Sequence, residues 1–96
     1  MLKSRLFIFN YLKIKSHTIP ASVTSIGKLA FWDCRVLSHV TCQGTTAPTL
    51  GSEAFEACNN LASKNSIAVP YSADGKVLQD YQSKWSEYED KLYVKP

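Results

Sequence analysis

The chain has 96 residues, of which 45% are hydrophobic and 20% are charged, a composition typical of one folded domain rather than of a disordered segment. A single domain this short has a small core, which excludes a large catalytic pocket between domains. The 11 basic and 8 acidic residues give a net charge of +3, and four basic residues but no acidic ones lie within residues 1–15. The rest of the chain is therefore close to neutral.

The N-terminal segment, residues 1–13, is predicted to be a basic and apolar arm. Its apolar run, residues 6–9, is too short to span a membrane or to form the apolar region of a secretory signal peptide. The basic residues of this segment are separated by the apolar run rather than clustered, which is weak evidence for binding to a phosphate backbone. We therefore predict no nucleic-acid partner. Residues 6–12 would add a strand or a short helix over the first repeat, or this end would pair with a second copy and give a homo-oligomer.

A repeat occupies the middle of the chain. Residues 25–37 align with residues 49–61 at a constant offset of 24, with five identical positions and one similar position in thirteen. Such a period is typical of repeats that stack, because no single repeat buries its apolar face alone. The predicted repeat core in these two segments consists of Ile26, Gly27, Ala30, Phe31, Cys34, Leu37, Leu50, Gly51, Ala54, Phe55, Cys58 and Leu61.

Each repeat is predicted to continue into an extended stretch. The first has Val40 and Cys42 in an L-x-x-L-x-L arrangement, and the second has Ile67 and Val69 after about three extra residues. A weaker copy precedes them at an offset of 23, and it places His17 in a position where the other copies are apolar. We expect this first copy to be distorted.

The cysteines favour a buried, reduced state. Cys34 and Cys58 occupy equivalent positions, and free cysteine is among the most buried residue types. The alternative is a disulfide between them, for which stacked thiols rarely have the required geometry. Three cysteines without a C-x-x-C pair, and two distant histidines, do not have metal-site spacing, so we predict no metal and no cofactor.

The C-terminal segment, residues 72–96, is predicted to be a helical cap and tail. A turn leads into an amphipathic helix from about residue 74 to residue 84, with Leu78, Tyr81 and Trp85 on its apolar stripe. The last repeat of a stack needs a cover, because an open end exposes apolar core and strand edges. The alternative is an aromatic ligand cleft beside Trp85.

Residues 18–37 read T-I-P-A-S-V-T-S-I-G-K-L-A-F-W-D-C-R-V-L and closely resemble the BspA-like leucine-rich repeat, whose signature is I-P-x-S-V-T-x-I-G-x-x-A-F-x-x-C-x-x-L. The resemblance covers about residues 12–70. It implies an α/β solenoid, a short right-handed coil with a small parallel β-sheet, in which residues 14–71 hold two clear repeats and one partial repeat before a C-terminal capping helix. Residues 45–48 depart from the signature, since they replace the I-P-x-S-V segment of the second copy.

The resemblance also implies a non-enzymatic protein-interaction module of a bacterial surface or secreted protein, with adhesion to host matrix or bacterial surface proteins as its role. Strand alternation places His39, Thr41 and Gln43 on the exposed face, and we predict that these side chains bind the partner. The alternative is a purely structural terminal cap of a longer repeat array with no ligand of its own. The residue types of a hydrolase triad are present in Ser22, Ser25 or Ser38 with His39 and Asp33, but such types occur in most sequences and a triad depends on their geometry.

Overall fold

A computed structural model describes residues 5–6, 15–62 and 64–95. Within these residues the chain forms short strands, two 3₁₀ segments and one α-helix. In chain order the elements are β1 (Arg5–Leu6), β2 (Ser16–Ile19), β3 (Ser25–Ile26), β4 (His39–Cys42), β5 (Thr49–Leu50), the first 3₁₀ segment (Asn59–Ala62), β6 (Ile67–Val69), α1 (Lys76–Lys84), the second 3₁₀ segment (Ser86–Lys91) and β7 (Leu92–Val94).

The strands form two parallel sheets, and successive strands from β1 to β6 alternate between them. One sheet has the order β1-β3-β5 and the other has the order β2-β4-β6-β7. Ser25 pairs with Thr49, at the offset of the repeat, whereas Val40 pairs with Ile67, at an offset that is larger by three. The larger offset between β4 and β6 is explained by the three extra residues predicted for the second repeat. Equivalent residues of the two repeats are therefore neighbours across each sheet, and the predicted parallel sheet and C-terminal helix are both present.

The bends between the strands repeat as well. Leu29 and Glu53 have φ angles of 60° and 55°, and Asp33 and Ala57 have φ angles of 61° and 62°. Positive φ is uncommon for residues other than glycine, so its recurrence at equivalent positions shows that the same bend is made in both repeats. The two bends are also hydrogen-bonded to each other, since the Asp33 N–H donates to the Glu56 carbonyl oxygen at 2.9 Å.

One hydrophobic core joins both repeats to the C-terminal segment. The rings of Phe31 and Phe55 stack, with their centroids 4.9 Å apart and their planes 14° apart. Phe55 also contacts Trp85 and Tyr88, at centroid distances of 5.9 Å and 5.3 Å. An aromatic column therefore runs from the first repeat through the second and into the residues that follow α1.

Most positions assigned to the repeat core are buried. Leu50 and Gly51, which lie at the end of β5, are half-buried. The buried members are Ile26, Gly27, Ala30, Phe31, Cys34, Leu37, Val40, Ala54, Phe55, Cys58, Leu61, Ile67 and Val69.

The three cysteines are buried free thiols. Burial raises the pKa of Cys42 to about 12 and that of Cys58 to about 11. The Cys58 thiol donates to the carbonyl oxygen of Phe31 at 2.9 Å. Because a thiol reacts as its thiolate, these groups are poor nucleophiles at neutral pH and are suited to a structural role.

His17 lies on β2 and pairs with Val40 of β4. It therefore occupies a position at which the other copies of the repeat have an apolar residue. Its ring meets that of Phe31 edge to face, with centroids 5.5 Å apart. The Nε2 atom is buried and has no hydrogen-bond partner in the described part of the chain. Burial lowers the pKa of His17, because the charged imidazolium loses hydration there.

We expect the free energy of unfolding to decrease as the pH falls from about 8 to about 5, and His17 to cause part of the decrease. Since the pKa of His17 is lower in the folded state than its ordinary value of about 6.5, the unfolded chain binds more protons, and protonation favours unfolding. The loss is absent well above pH 6.5, begins as the pH falls through that value, and grows until the lower folded pKa is reached.

Urea unfolding at a series of pH values measures this effect. His17→Val, which copies Val40, is expected to reduce the pH dependence, whereas His39→Asn removes an exposed histidine of the same sheet and retains the contribution of His17. An unchanged pH profile in His17→Val would contradict the desolvated state of this imidazole.

The segment before α1 contains side-chain contacts that are typical of a helix start. The hydroxyl of Ser72 accepts from the Val77 N–H at 3.2 Å, and the carboxylate of Asp74 accepts from the Lys76 N–H at 3.0 Å. The helix begins slightly later than predicted, because Gly75 has a φ of 74° and is not helical. After the helix, β7 adds a parallel strand beside β6 and so extends the second sheet.

Candidate interaction surface and C-terminal cap

The four-stranded sheet has one face on the core and one face directed outward. On β4, Val40 and Cys42 are buried in the core, whereas His39 is exposed and Thr41 is half-buried. Gln43, directly after the strand, is also exposed. Because successive side chains of a strand point to opposite faces, these three predicted binding residues lie together on the outward face.

The strands beside β4 extend this face. Thr18 pairs with Thr41, Thr41 pairs with Ala68, and Ala68 pairs with Tyr93, so a row of four side chains crosses the sheet. Ala68 is buried and the others are exposed or half-buried. We define the outward sheet face as the side chains of Ser16, Thr18, His39, Thr41, Gln43 and Tyr93.

Within residues 15–62, Asp33 does not join Ser38 and His39 in a hydrolase triad. The Ser38 hydroxyl lies 3.0 Å from His39 Nδ1, which is a hydrogen-bond distance. However, Asp33 Oδ1 accepts from Arg35 Nε at 2.8 Å, so the structure joins the candidate carboxylate to an arginine rather than to the histidine. A triad needs the carboxylate to orient the imidazole, and Asp33 does not do so for His39.

Clusters of potential metal ligands and helices able to cross a membrane are both absent from the described residues. In the ranges 5–6, 15–62 and 64–95, no group of three or more His, Cys, Asp or Glu side chains is placed to hold a metal ion. None of the helices in the same part of the chain has the length and apolar character that crossing a bilayer requires.

Aromatic side chains join α1 and the residue after it to the connection between β4 and β5. The Tyr81 hydroxyl donates to the Gly44 carbonyl oxygen at 2.7 Å, and Trp85 Nε1 donates to the Pro48 carbonyl oxygen at 2.9 Å. Both side chains are fully buried, and Leu78 packs against the same core. The complete burial of the indole contradicts the alternative of a ligand cleft beside Trp85, since no ring surface remains for a ligand.

Polar side chains of α1 bind the same connection. Asp80 Oδ2 accepts from the Ala47 N–H at 2.8 Å, and Lys84 Nζ donates to the Ala47 carbonyl oxygen at 3.2 Å. The two side chains form an ion pair at 3.5 Å. Ala47 is buried, and both of its backbone groups are satisfied by this one helix, as buried backbone groups require.

The sequence did not indicate Asp80 or Lys84 as contact residues. They lie on the polar side of an amphipathic pattern, which by itself predicts solvent exposure. Their partner, Ala47, lies much earlier in the chain, at the point where the second repeat departs from the signature. The departure was the only signal, and it does not specify which residues would replace the missing contacts.

A protein-family model described as the BspA type leucine-rich repeat region matches residues 4–73, in 6 copies. The match confirms the resemblance that the sequence shows. It begins within the segment predicted as an arm, includes strands β1 to β6, and ends before α1. No curated protein matches the chain.

Proposed function

Because the chain belongs to the BspA-type leucine-rich repeat family, we propose that it is a non-enzymatic protein-interaction module that binds its partner on the outward sheet face. The observation that carries this proposal is the alignment of polar side chains on neighbouring parallel strands, where Ser16 pairs with His39 and Thr18 pairs with Thr41. Repeat proteins commonly bind their partners on such extended surfaces.

We infer that the repeats are successive coils of a short right-handed α/β solenoid. Two features support this inference: the strands from β1 to β6 alternate between two parallel sheets, and the bends of the two repeats are hydrogen-bonded to each other. Right-handed crossovers are the rule for parallel strands in one sheet, which supports the handedness.

We propose that the partner is a host matrix protein or a bacterial surface protein, and that the chain acts in adhesion at the cell surface or in secreted form. Membership of the family supports this proposal, because these repeats are usually associated with surfaces. The outward sheet face is polar and carries hydroxyl, imidazole and amide groups, which suits a hydrogen-bonded interface with a folded protein.

Binding to a panel of purified, immobilised host matrix proteins tests the proposal. We expect the chain to bind at least one of them, and the joint variant His39→Ala, Thr41→Ala, Gln43→Ala to bind at least about tenfold more weakly. The matched control is Lys76→Ala, Gln79→Ala, Ser83→Ala, which truncates three exposed side chains of α1 and is expected to bind as the unaltered chain does. Equal binding by the two variants would contradict the proposed surface, and binding to none of the proteins would contradict adhesion to host matrix.

A second function, the structural closing of a longer repeat array, is favoured by a different observation. The C-terminal segment hydrogen-bonds to backbone groups of the connection between β4 and β5 and contacts Phe55 of the aromatic column. In this alternative the chain has no ligand of its own.

We propose that a second copy of the chain pairs at the N-terminal end of the repeats, beyond β2 and opposite the C-terminal segment. Light scattering of the full chain at increasing concentration tests for such an oligomer.

A further inference from the structure

A cavity of about 250 Å³ lies where the second repeat departs from the first. It is bounded by residues 21, 23 and 24, by residues 45–47 and 49, and by Lys84 of α1. Val23 and Ala47 occupy equivalent positions of the two repeats, and both line the cavity. Alanine is two carbon atoms smaller than valine, so the departure from the signature leaves space between the two repeats.

Hydrogen bonds to backbone groups hold the walls of this cavity in place. The Thr49 N–H donates to the Thr24 carbonyl oxygen at 3.1 Å, which fixes one wall against the other. The contacts of Ala47 with Asp80 and Lys84, at 2.8 Å and 3.2 Å, attach the second wall to α1. The cavity is therefore formed before any ligand arrives, which lowers the entropy cost of binding.

The lining combines hydroxyl groups, methyl groups and a single ammonium group. Thr45, Thr46 and Thr49 are exposed threonines, and each carries one hydroxyl and one methyl group. Lys84 is the charged member of the lining. Of its three N–H donors, one is used by Ala47 and one is directed toward Asp80, which leaves a third for a ligand.

We propose that this cavity binds a terminal sugar residue that carries a carboxylate. Sugar rings present hydroxyl groups beside C–H surfaces, and the threonines offer the matching hydroxyl and methyl groups. The carboxylate of the sugar accepts a charge-assisted hydrogen bond from Lys84. The volume lies just below the roughly 300–1,000 Å³ of pockets for drug-sized ligands, so it accommodates one ring rather than an oligosaccharide. This site uses none of the outward sheet face, and it does not depend on protein binding there.

Amide chemical-shift titration of the full chain tests the proposal with two probes, methyl β-glucuronide and methyl β-glucoside, which differ only in the carboxylate. We expect the glucuronide to shift the amides of residues 21–24 and 45–49, and the glucoside to bind about tenfold more weakly. Equal affinity for the two probes would overturn the assignment of the carboxylate to Lys84. The absence of shifts with both probes would overturn the site.

Two variants locate the binding. Lys84→Met is expected to abolish the preference for the glucuronide, and its matched control Lys76→Met, at an exposed position of the same helix, is expected to retain it. Thr46→Val removes a hydroxyl without changing the shape of the side chain or the contacts of Lys84 with Ala47, and it is expected to weaken both probes several-fold. Glucuronide binding that is unchanged in both Lys84→Met and Thr46→Val would overturn the proposal.

Discussion

Replacing Gly51 by alanine is expected to lower the free energy of unfolding by about 3 kcal/mol or more, because a Cβ atom at this position has no space. It would lie against the backbone nitrogen of Lys28 and 2.6 Å from the carbonyl carbon of Gly27. These are backbone atoms, which cannot rotate away as a side chain does. The two repeats would have to separate, which would stretch the hydrogen bond from the Gly51 N–H to the Ile26 carbonyl oxygen, 2.7 Å long.

The matched control is Gly75→Ala. Gly75 has a φ of 74°, which an alanine adopts only with strain, but a Cβ atom there meets nothing within 4 Å. We expect a cost of about 1 kcal/mol for this substitution, from backbone strain alone. Urea unfolding followed by far-UV circular dichroism measures both values. Similar costs for the two variants would show that the repeats are not in close backbone contact at Gly51.

Replacing Phe55 by alanine is expected to lower the free energy of unfolding by about 3–5 kcal/mol, the range found for large aromatic side chains removed from a core. The ring of Phe55 contacts the rings of Phe31, Trp85 and Tyr88. Its removal therefore leaves a cavity at the junction between the repeats and the C-terminal segment. A domain of this size has a total stability of roughly 5–15 kcal/mol, so a large part of it would be lost.

Trp32→Ala is the control for the loss of an aromatic ring outside the core. Trp32 is 55% exposed, and we expect a change within about 0.5 kcal/mol. The same urea unfolding experiment compares the two variants. If Phe55→Ala cost no more than Trp32→Ala, the aromatic column would not stabilise the fold.

Periodicity predicted the parts of this fold in which one repeat copies another. The constant offset between the repeats placed Phe31 beside Phe55, and the structure stacks the two rings. The three extra residues in the second repeat were predicted from the spacing of Ile67, and they appear as the longer step between β4 and β6. These features follow from composition and spacing alone, because apolar side chains at equivalent positions of neighbouring repeats pack into one core.

Features in which the repeats differ could not be predicted from the sequence in the same way. The contacts of Asp80, Lys84 and Tyr81 with the connection between β4 and β5 join residues far apart in the chain, and an amphipathic pattern specifies which face is buried but not its partner. The cavity beside Ala47 likewise arises from a difference between two copies. The three side chains assigned to partner binding were predicted from strand alternation, and the structure places them together on one exposed face.

The most direct test asks whether the repeats and the C-terminal segment unfold together. In the variant Trp32→Phe, fluorescence reports on Trp85, which is fully buried in the core beside α1, whereas far-UV circular dichroism reports on the strands and the helix together. We expect urea unfolding curves from the two signals to coincide in a single transition, as a shared core requires. A fluorescence transition at a lower urea concentration, with the strand signal retained, would show that the C-terminal segment does not close the repeats.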